Sequence, residues 1–230
     1  MRFDVPADQD VPFVLVPLLT GGYYEEGMLS HIRALRRRGD YVDVGAHVGT
    51  HSLWFALQCN ATQVYSFEPV GRFADRLRKN IDLNGAADRV TVVQRGLSDA
   101  AGTASNVLSE SHQVGFMAVP SEQTETFEVC RLDDVLTNRV AVIKLDVEGM
   151  EPAVLRGARG ILRRDSPAIF AEARNEAERL ALFTELLEQG YGWTGRIFNA
   201  TPTYEFRRPT SRAEAWVWRL RASRSVLGSA

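Results

Sequence analysis

The sequence predicts an α/β fold: a doubly wound, mostly parallel sheet that ends in a C-terminal antiparallel hairpin. Three observations point there. Apolar runs of four to six residues alternate with helical patterns from Tyr41 to Gln189, the pattern of a parallel sheet with helices on both faces. The first run opens directly into Gly45 and Gly49 ahead of a helix. The last stretch, Tyr191 to Arg208, loses the helical period and reads as two strands.

Each element follows in order. Residues 1–20 look extended and are broken by prolines. Glu25 to Arg38 reads as a helix, with Met28, Leu29, Ile32 and Leu35 on one face and arginines before Gly39. Tyr41–Val44 is the first strand, followed by a helix over 50–59. Gln63–Phe67 is the second, and its helix places Phe73, Leu77 and Ile81 four apart. Val90–Gln94 is the third strand and Val140–Leu145 the fourth, with one helix predicted over 149–163 and Pro152 in its first turn. Ala168–Ala173 is the fifth strand, and Glu176–Gln189 its helix. The predicted organisation is an N-terminal segment over 1–39, a core domain over 40–208 and a basic tail over 209–230.

Composition narrows the class. At 230 residues, 45% hydrophobic and 24% charged, the chain can bury both faces of such a sheet. A net charge of −2 gives no reason to expect a nucleic-acid partner. The longest apolar run, Val11 to Leu19, contains Pro12 and Pro17 and is too short for a transmembrane segment. The N-terminus does not read as a signal peptide, so a cytoplasmic protein is expected. Cys59 and Cys130 are expected to be buried free thiols.

In such sheets ligands bind beyond the carboxyl ends of the strands, where strand order reverses. Here those ends carry Gly45, Ala46, His47 and Gly49, then Glu68, then Ser98 and Asp99, then Asp146 and Glu148, then Glu172 and Asn175. Glu68 lies 19 residues after Gly49, a separation that suits a carboxylate accepting both hydroxyls of a ribose. A dinucleotide fingerprint wants a second glycine where His47 stands, and a side chain there would crowd a pyrophosphate. The loop better suits a ligand that has no phosphates and presents a carboxylate, an amine and an adenosine, which describes S-adenosylmethionine.

The stretches "DVGAHVGTHS", "SFEP", "GLSDAAGT", "RLDDVL" and above all "IKLDVEGMEPAVLRGA" resemble the FkbM-type S-adenosylmethionine-dependent methyltransferases, a class I, Rossmann-like family. The resemblance covers roughly Glu26 to Arg207. It implies that Gly45 and Gly49, with Asp43, Ala46 and His47, approach the methionine part of the cofactor. It also implies that Glu68, with Pro69 beside it, binds the ribose, and that Ser98 and Asp99 lie near the adenine. Asp146 completes this set, and Tyr23 and Glu26 would close over the cofactor. Family members mostly methylate hydroxyl oxygens of sugars, lipids and antibiotics, so a small-molecule acceptor bearing a hydroxyl, and a role in natural-product biosynthesis, are implied.

An alcohol acceptor must lose its proton, and the candidates for the base are Asp146, Glu148, Glu172 and His112, with Asp146 and Glu148 favoured by their place after the fourth strand. The alternative is Mg²⁺ on the oxygen ligands Asp146, Glu172 and Asn175, lowering the acceptor's pKa. Two other readings remain: a nicotinamide-dependent oxidoreductase on the same sheet, disfavoured by His47, and a non-catalytic S-adenosylmethionine-binding subunit. From Arg207 onward six arginines meet one acid, Glu214, and Ala213, Trp216, Val217 and Leu220 share a helical face. That face predicts packing on the domain or on the second copy of a homodimer, with contact to anionic lipid as the alternative.

Overall fold

The computed structural model describes residues 1–5, 13–108 and 123–218. Strands β1 (Gly39–Val44), β2 (Ala61–Phe67), β3 (Val90–Val93), β7 (Val140–Leu145), β8 (Ala168–Glu172), β9 (Gly192–Phe198) and β10 (Thr203–Arg207) form a seven-stranded sheet in the order β3-β2-β1-β7-β8-β10-β9. β1 is hydrogen-bonded in parallel to both β2 and β7, so the order reverses between β1 and β7. The predicted hairpin is present, but the later strand lies inside: β10 is antiparallel to both β8 and β9 and leaves β9 at the edge.

Helices cover both faces. α1 (Glu26–Ala34) and α2 (Thr50–Gln58) pack Met28, Leu29, Ile32, Leu53 and Phe55 against Tyr41, Val142 and Phe170. α3 (Gly71–Leu83) adds Leu77 and Ile81 on that side. On the other face α5 (Glu151–Arg156), α6 (Arg159–Asp165) and α7 (Glu176–Glu188) bury Leu155, Ile161, Leu162, Phe183 and Leu186 against Val42, Ile143, Ile169 and Phe206. The short α4 (Leu132–Val135) leads into β7, and between β3 and α4 in the chain the described residues form a second sheet of β4 (Gly96–Leu97), β6 (Gln123–Cys130) and β5 (Gly102–Leu108). Both cysteines are buried and free.

Four expectations need correction. Residues Phe13–Thr20 form a 3₁₀ helix rather than an extended run. Pro17 fits because its fixed φ suits such a turn, and its carbonyl accepts from Gly22 N at 3.0 Å. The single helix over 149–163 is two. At Gly157 a Cβ would stand 2.0 Å from the Ser98 carbonyl, so the chain closes onto Ser98 there, and α6 restarts under Asp133, whose carboxylate accepts from Gly160 N and Ile161 N at 2.8 and 2.9 Å. Over 102–108 and 123–130, where the sequence predicts no strand, β5 and β6 run antiparallel to each other. Finally, residues 212–218 are helical, but Ala213, Trp216 and Val217 of the predicted face are exposed, and Leu220 lies outside the described residues. Trp216 is 65% exposed, whereas Trp218 is buried against Gly192, where a Cβ would come within 2.7 Å of its ring. Among the described residues no helix is long and apolar enough to cross a membrane.

Candidate functional site

Register sets the site. Across the sheet Ser66 lies beside Asp43, Asp43 beside Lys144 and Lys144 beside Phe170. Because side chains alternate along a strand, the next residues on this face are Glu68, Gly45, Asp146 and Glu172. Four of the predicted strand ends thus meet on one edge, at the point where strand order reverses.

Lys144 is the centre of its lower row. It is 3% exposed, and its Nζ lies 3.6 Å from Asp43 Oδ1, 3.2 Å from Asp146 Oδ2 and 3.4 Å from the Gly45 carbonyl. Burial alone would lower its pKa, but Asp146, Asp43 and Glu25 outweigh burial and raise it. Asp43 is fully buried and also accepts from Ser52 Oγ at 2.6 Å, which in turn accepts from Ser66 Oγ at 2.8 Å. Burial opposes the charge on Asp146, yet Lys144, and then His51, hold its carboxyl below the usual carboxylate range.

The glycine loop is fixed by packing. Gly45 has φ +77°, and a Cβ there would lie 1.9 Å from the Asp146 carbonyl. Gly49 has φ +89°, and a Cβ there would strike Leu77 of α3 at 2.3 Å. Both glycines therefore let the loop sit close on β7 and α3. His47 itself takes φ +50° and sets its ring edge-on to Phe73 at 4.3 Å. Burial pushes its imidazole down to about 4, so it is neutral at pH 7. Ala46 is buried in the turn, its N–H on the Phe67 carbonyl at 3.1 Å.

Glu68 is buried under this loop. One oxygen accepts from His47 N at 2.8 Å and the other from Val70 N at 2.9 Å, across Pro69. Burial pushes it up to about 7 against those two hydrogen bonds. Each oxygen keeps a second lone pair, so two vicinal hydroxyls remain within its capacity.

Glu172 is half-buried at the end of β8. Burial, then the neighbouring Asp146 and also Glu25, push it up to about 8. Tyr24, Glu25 and His51 face the same cluster. Burial first, and then Glu25, Asp146 and Glu172, raise the Tyr24 phenol. His51 Nε2 lies 3.0 Å from Glu25 Oε2.

The other predicted residues are placed as follows. Tyr23 donates to the Thr50 carbonyl at 2.6 Å and lies against Trp54 at 4.9 Å, covering the start of α2. Glu26 is exposed in the first turn of α1, and it is Glu25 that turns inward. Glu148 is exposed, with Arg174 Nη1 at 3.5 Å. Ser98 donates to Asp99 at 3.4 Å, and Asp99 accepts from Arg156 Nε of α5 at 2.9 Å. Asn175 caps α7 by accepting from Glu178 N at 3.0 Å. His112 lies outside the described residues. No group of three His, Cys, Asp or Glu among the described residues is arranged to hold a metal. The final glutamate of the "KLDVEGME" stretch is structural: Glu151 is buried and accepts from Val147 N and Gly149 N, both at 2.9 Å, so it shapes the turn after β7.

Sequence reasoning missed Glu25, His51 and Lys144. Lys144 left a signal, a lone charge in the apolar run "VAVIKL" in register with Asp43. Glu25 and His51 left none beyond their residue type.

S-adenosylmethionine fits this edge on its donor chemistry. Three carboxylates, Glu25, Asp43 and Asp146, and the raised carboxyl of Glu172 face one lysine and one histidine. Asp43 Oδ1 and His51 Nε2 are buried with no hydrogen-bond partner among the described residues. Such an edge favours a ligand with cationic centres and repels a pyrophosphate.

The comparisons agree. The family profile described as the methyltransferase FkbM domain matches residues 43–193. The chain is 28% identical to the methyltransferase sdnD of Sordaria araneosa, over 50% of this chain and 59% of that protein. It is 32% identical to the hexuronic acid methyltransferase AglP of Haloferax volcanii, over 53% of this chain and 50% of that one. The match thus spans between half and three fifths of the length of these curated relatives. Among solved structures, a methyltransferase FkbM from Methylobacillus flagellatus superposes with a TM-score of 0.56 at 20% identity, over 73% of this chain and 43% of that one. A SAM-dependent O-methyltransferase from Thermotoga maritima gives 0.54 at 12% identity, over 82% and 65%. These two likenesses establish the fold, and the profile match, which covers well over half of the chain, establishes that it belongs to the FkbM methyltransferase family.

Proposed function

We propose that this chain is an S-adenosylmethionine-dependent O-methyltransferase that acts on a hydroxyl of a small molecule, of the sugar, glycolipid or secondary-metabolite class. The name of the relative AglP, a hexuronic acid methyltransferase, supports a sugar-like acceptor. Gly45, Ala46, His47 and Gly49 shape the cofactor's side of the edge, Glu68 takes the ribose hydroxyls, and Asp43 and Asp146 hold Lys144 in place beneath. When bound, the cofactor supplies a methyl group on a cationic sulfur and leaves as a neutral thioether. The chain's own contribution is alignment, worth up to ~7–11 kcal/mol, and removal of the acceptor's proton, worth ~100- to 10,000-fold.

The observation that carries the proton step is the pair at the ends of β7 and β8. Asp146 is anchored by Lys144 and held low, whereas Glu172 beside it is pushed up to about 8. Neighbouring carboxyls driven apart in this way take different roles. Asp146 stays charged and positions, and Glu172 has the pKa of a base working near neutral pH. Glu148, exposed beside Arg174, suits that role less well.

The test is a screen of hydroxylated sugars and metabolites for a one-methyl gain by mass spectrometry, followed by a pH–rate profile. The wild type should gain rate with a midpoint near pH 8. Glu172→Gln should still bind S-adenosylhomocysteine, lose ~100-fold or more in turnover and lose that midpoint. An unchanged profile in Glu172→Gln would remove the base assignment. Loss of activity in chelator, restored by Mg²⁺, would replace the base with a metal.

A further inference from the structure

A base must be aimed, because proton transfer needs hydrogen-bond reach. Glu172 makes no hydrogen bond among the described residues. The groups that face it act through charge alone: Asp146 and Lys144 of β7, Glu151 of α5, and Glu25 and Tyr24 before α1. The remaining neighbour is β10, which runs antiparallel to β8 and sets Thr203 directly opposite Glu172. One residue further on, Ala173 N donates to the Pro202 carbonyl opposite it at 3.0 Å. Bonded and non-bonded pairs alternate along an antiparallel ladder. Glu172 and Thr203 are therefore the non-bonded kind, with Cα atoms ~4.5 Å apart and side chains on one face at their closest.

Thr203 is 3% exposed. Its Oγ1 accepts from Asn199 Nδ2 at 2.9 Å, across the turn that joins β9 to β10, and donates to no described residue. Asn199 is itself held, at φ +66° and with Nδ2 3.7 Å from Met28 Sδ. A buried hydroxyl proton without an acceptor thus stands beside a carboxyl without a donor. We propose that Thr203 is the positioning residue for Glu172: its hydroxyl, oriented by Asn199, donates to the ionised carboxylate and turns the other oxygen toward the acceptor. This rests on the assignment of Glu172 as the base. Asp146, in the same row, has Lys144 to hold it. A hydrogen bond to the charged form favours that form, so Thr203 lowers the pH at which Glu172 can accept a proton.

The test is a pH titration of the glutamate carboxyl carbons by ¹³C NMR on the full chain, with Glu172 assigned as the signal missing from Glu172→Gln. It needs no acceptor. Thr203→Val, which keeps the shape of the side chain, and Thr203→Ala should each raise the titration of Glu172 by about one pH unit over the wild type, the worth of one hydrogen bond to a charged group. Thr203→Ser, which keeps the hydroxyl, should titrate with the wild type. Asn199→Gly suits the positive φ and keeps the hydroxyl, so it should lose stability but move the titration less than Thr203→Val does. Lower stability without a shift in Thr203→Val and Thr203→Ala would show that Thr203 only closes the turn, and would overturn the proposal. So would a shift in Asn199→Gly as large as theirs. Turnover retained in Glu172→Gln would instead remove the base assignment on which the proposal rests.

Discussion

Two buried charge clusters lie on the same face of the sheet and differ in their balance. Around Glu205 of β10, which is fully buried, two arginines and two further polar groups surround one carboxylate: Arg207 Nε at 2.7 Å, Arg196 Nε at 3.7 Å, His31 Nε2 at 3.2 Å and Thr194 Oγ1, donating at 2.9 Å. That cluster satisfies itself and ties α1 to the hairpin. At the ends of β1, β7 and β8 the proportions are reversed: Asp43, Asp146 and Glu25 gather around Lys144 and His51, with Glu172 beside them pushed up to about 8. A buried charge persists only when it is paired. The Glu205 cluster, whose one buried carboxylate is paired, therefore accounts for its own presence as structure, and the carboxylate-rich one asks for a ligand.

The largest effect is expected at Lys144. Lys144→Met strands Asp43 as a buried charge, takes the cation from the half-buried Asp146, and should cost ~3–5 kcal/mol in a urea titration followed by circular dichroism. Glu205→Gln should cost less, ~1–3 kcal/mol, because Arg196 and Arg207 are 60% and 28% exposed and water can solvate them. Equal losses would show that the two clusters do the same work.

Gly45 and Gly21 sharpen the contrast at the backbone. Both have positive φ, so alanine costs each ~1–2 kcal/mol, but only at Gly45 does a Cβ meet a carbonyl, whereas Gly21 faces open space. Gly45→Ala should lose more stability and should lose S-adenosylhomocysteine binding, and Gly21→Ala should keep its binding. Glu68→Ala should weaken S-adenosylhomocysteine at least tenfold, since hydrogen bonds to a charged group are worth ~1.5–3 kcal/mol each. Calorimetry on folded protein checks both.

The smallest effect is a stability trend with pH. The folded state raises Glu172 from the ordinary carboxyl range to about 8. Its neutral form is the one that folding favours, so its contribution is full below about pH 4.5 and is lost as pH rises through 8. Glu172→Gln should then melt ~2–4 °C above the wild type at pH 9, corresponding to ~1 kcal/mol after screening, and level with it near pH 4. A difference independent of pH would contradict the titration.

The fold was legible because it follows from periodicity. Alternating strand and helix runs gave the sheet, and loss of the helical period gave the hairpin. Pattern stops short where tertiary contact decides. The break at Gly157 depends on the Ser98 carbonyl, and the burial of Trp218 on the bare backbone of Gly192. At the site, strand ends told which residues share an edge: Gly45, Glu68, Asp146 and Glu172 meet as expected. They could not tell which way each side chain turns. Glu148 faces Arg174 and Asn175 caps a helix, both consequences of the turns that follow β7 and β8. Glu25 and Glu26 are adjacent and chemically alike, and only the left-handed backbone at Glu25 decides that it is the one turned inward.

One titration bears most directly on the claim that this edge is built for a phosphate-free, cationic nucleoside. Calorimetry of the purified chain with S-adenosylmethionine, S-adenosylhomocysteine and NADH should show one site for each of the first two and none for NADH. S-adenosylmethionine should bind the tighter of the pair, because its sulfonium meets the surplus of carboxylates. Binding of NADH without either sulfur ligand would contradict the account.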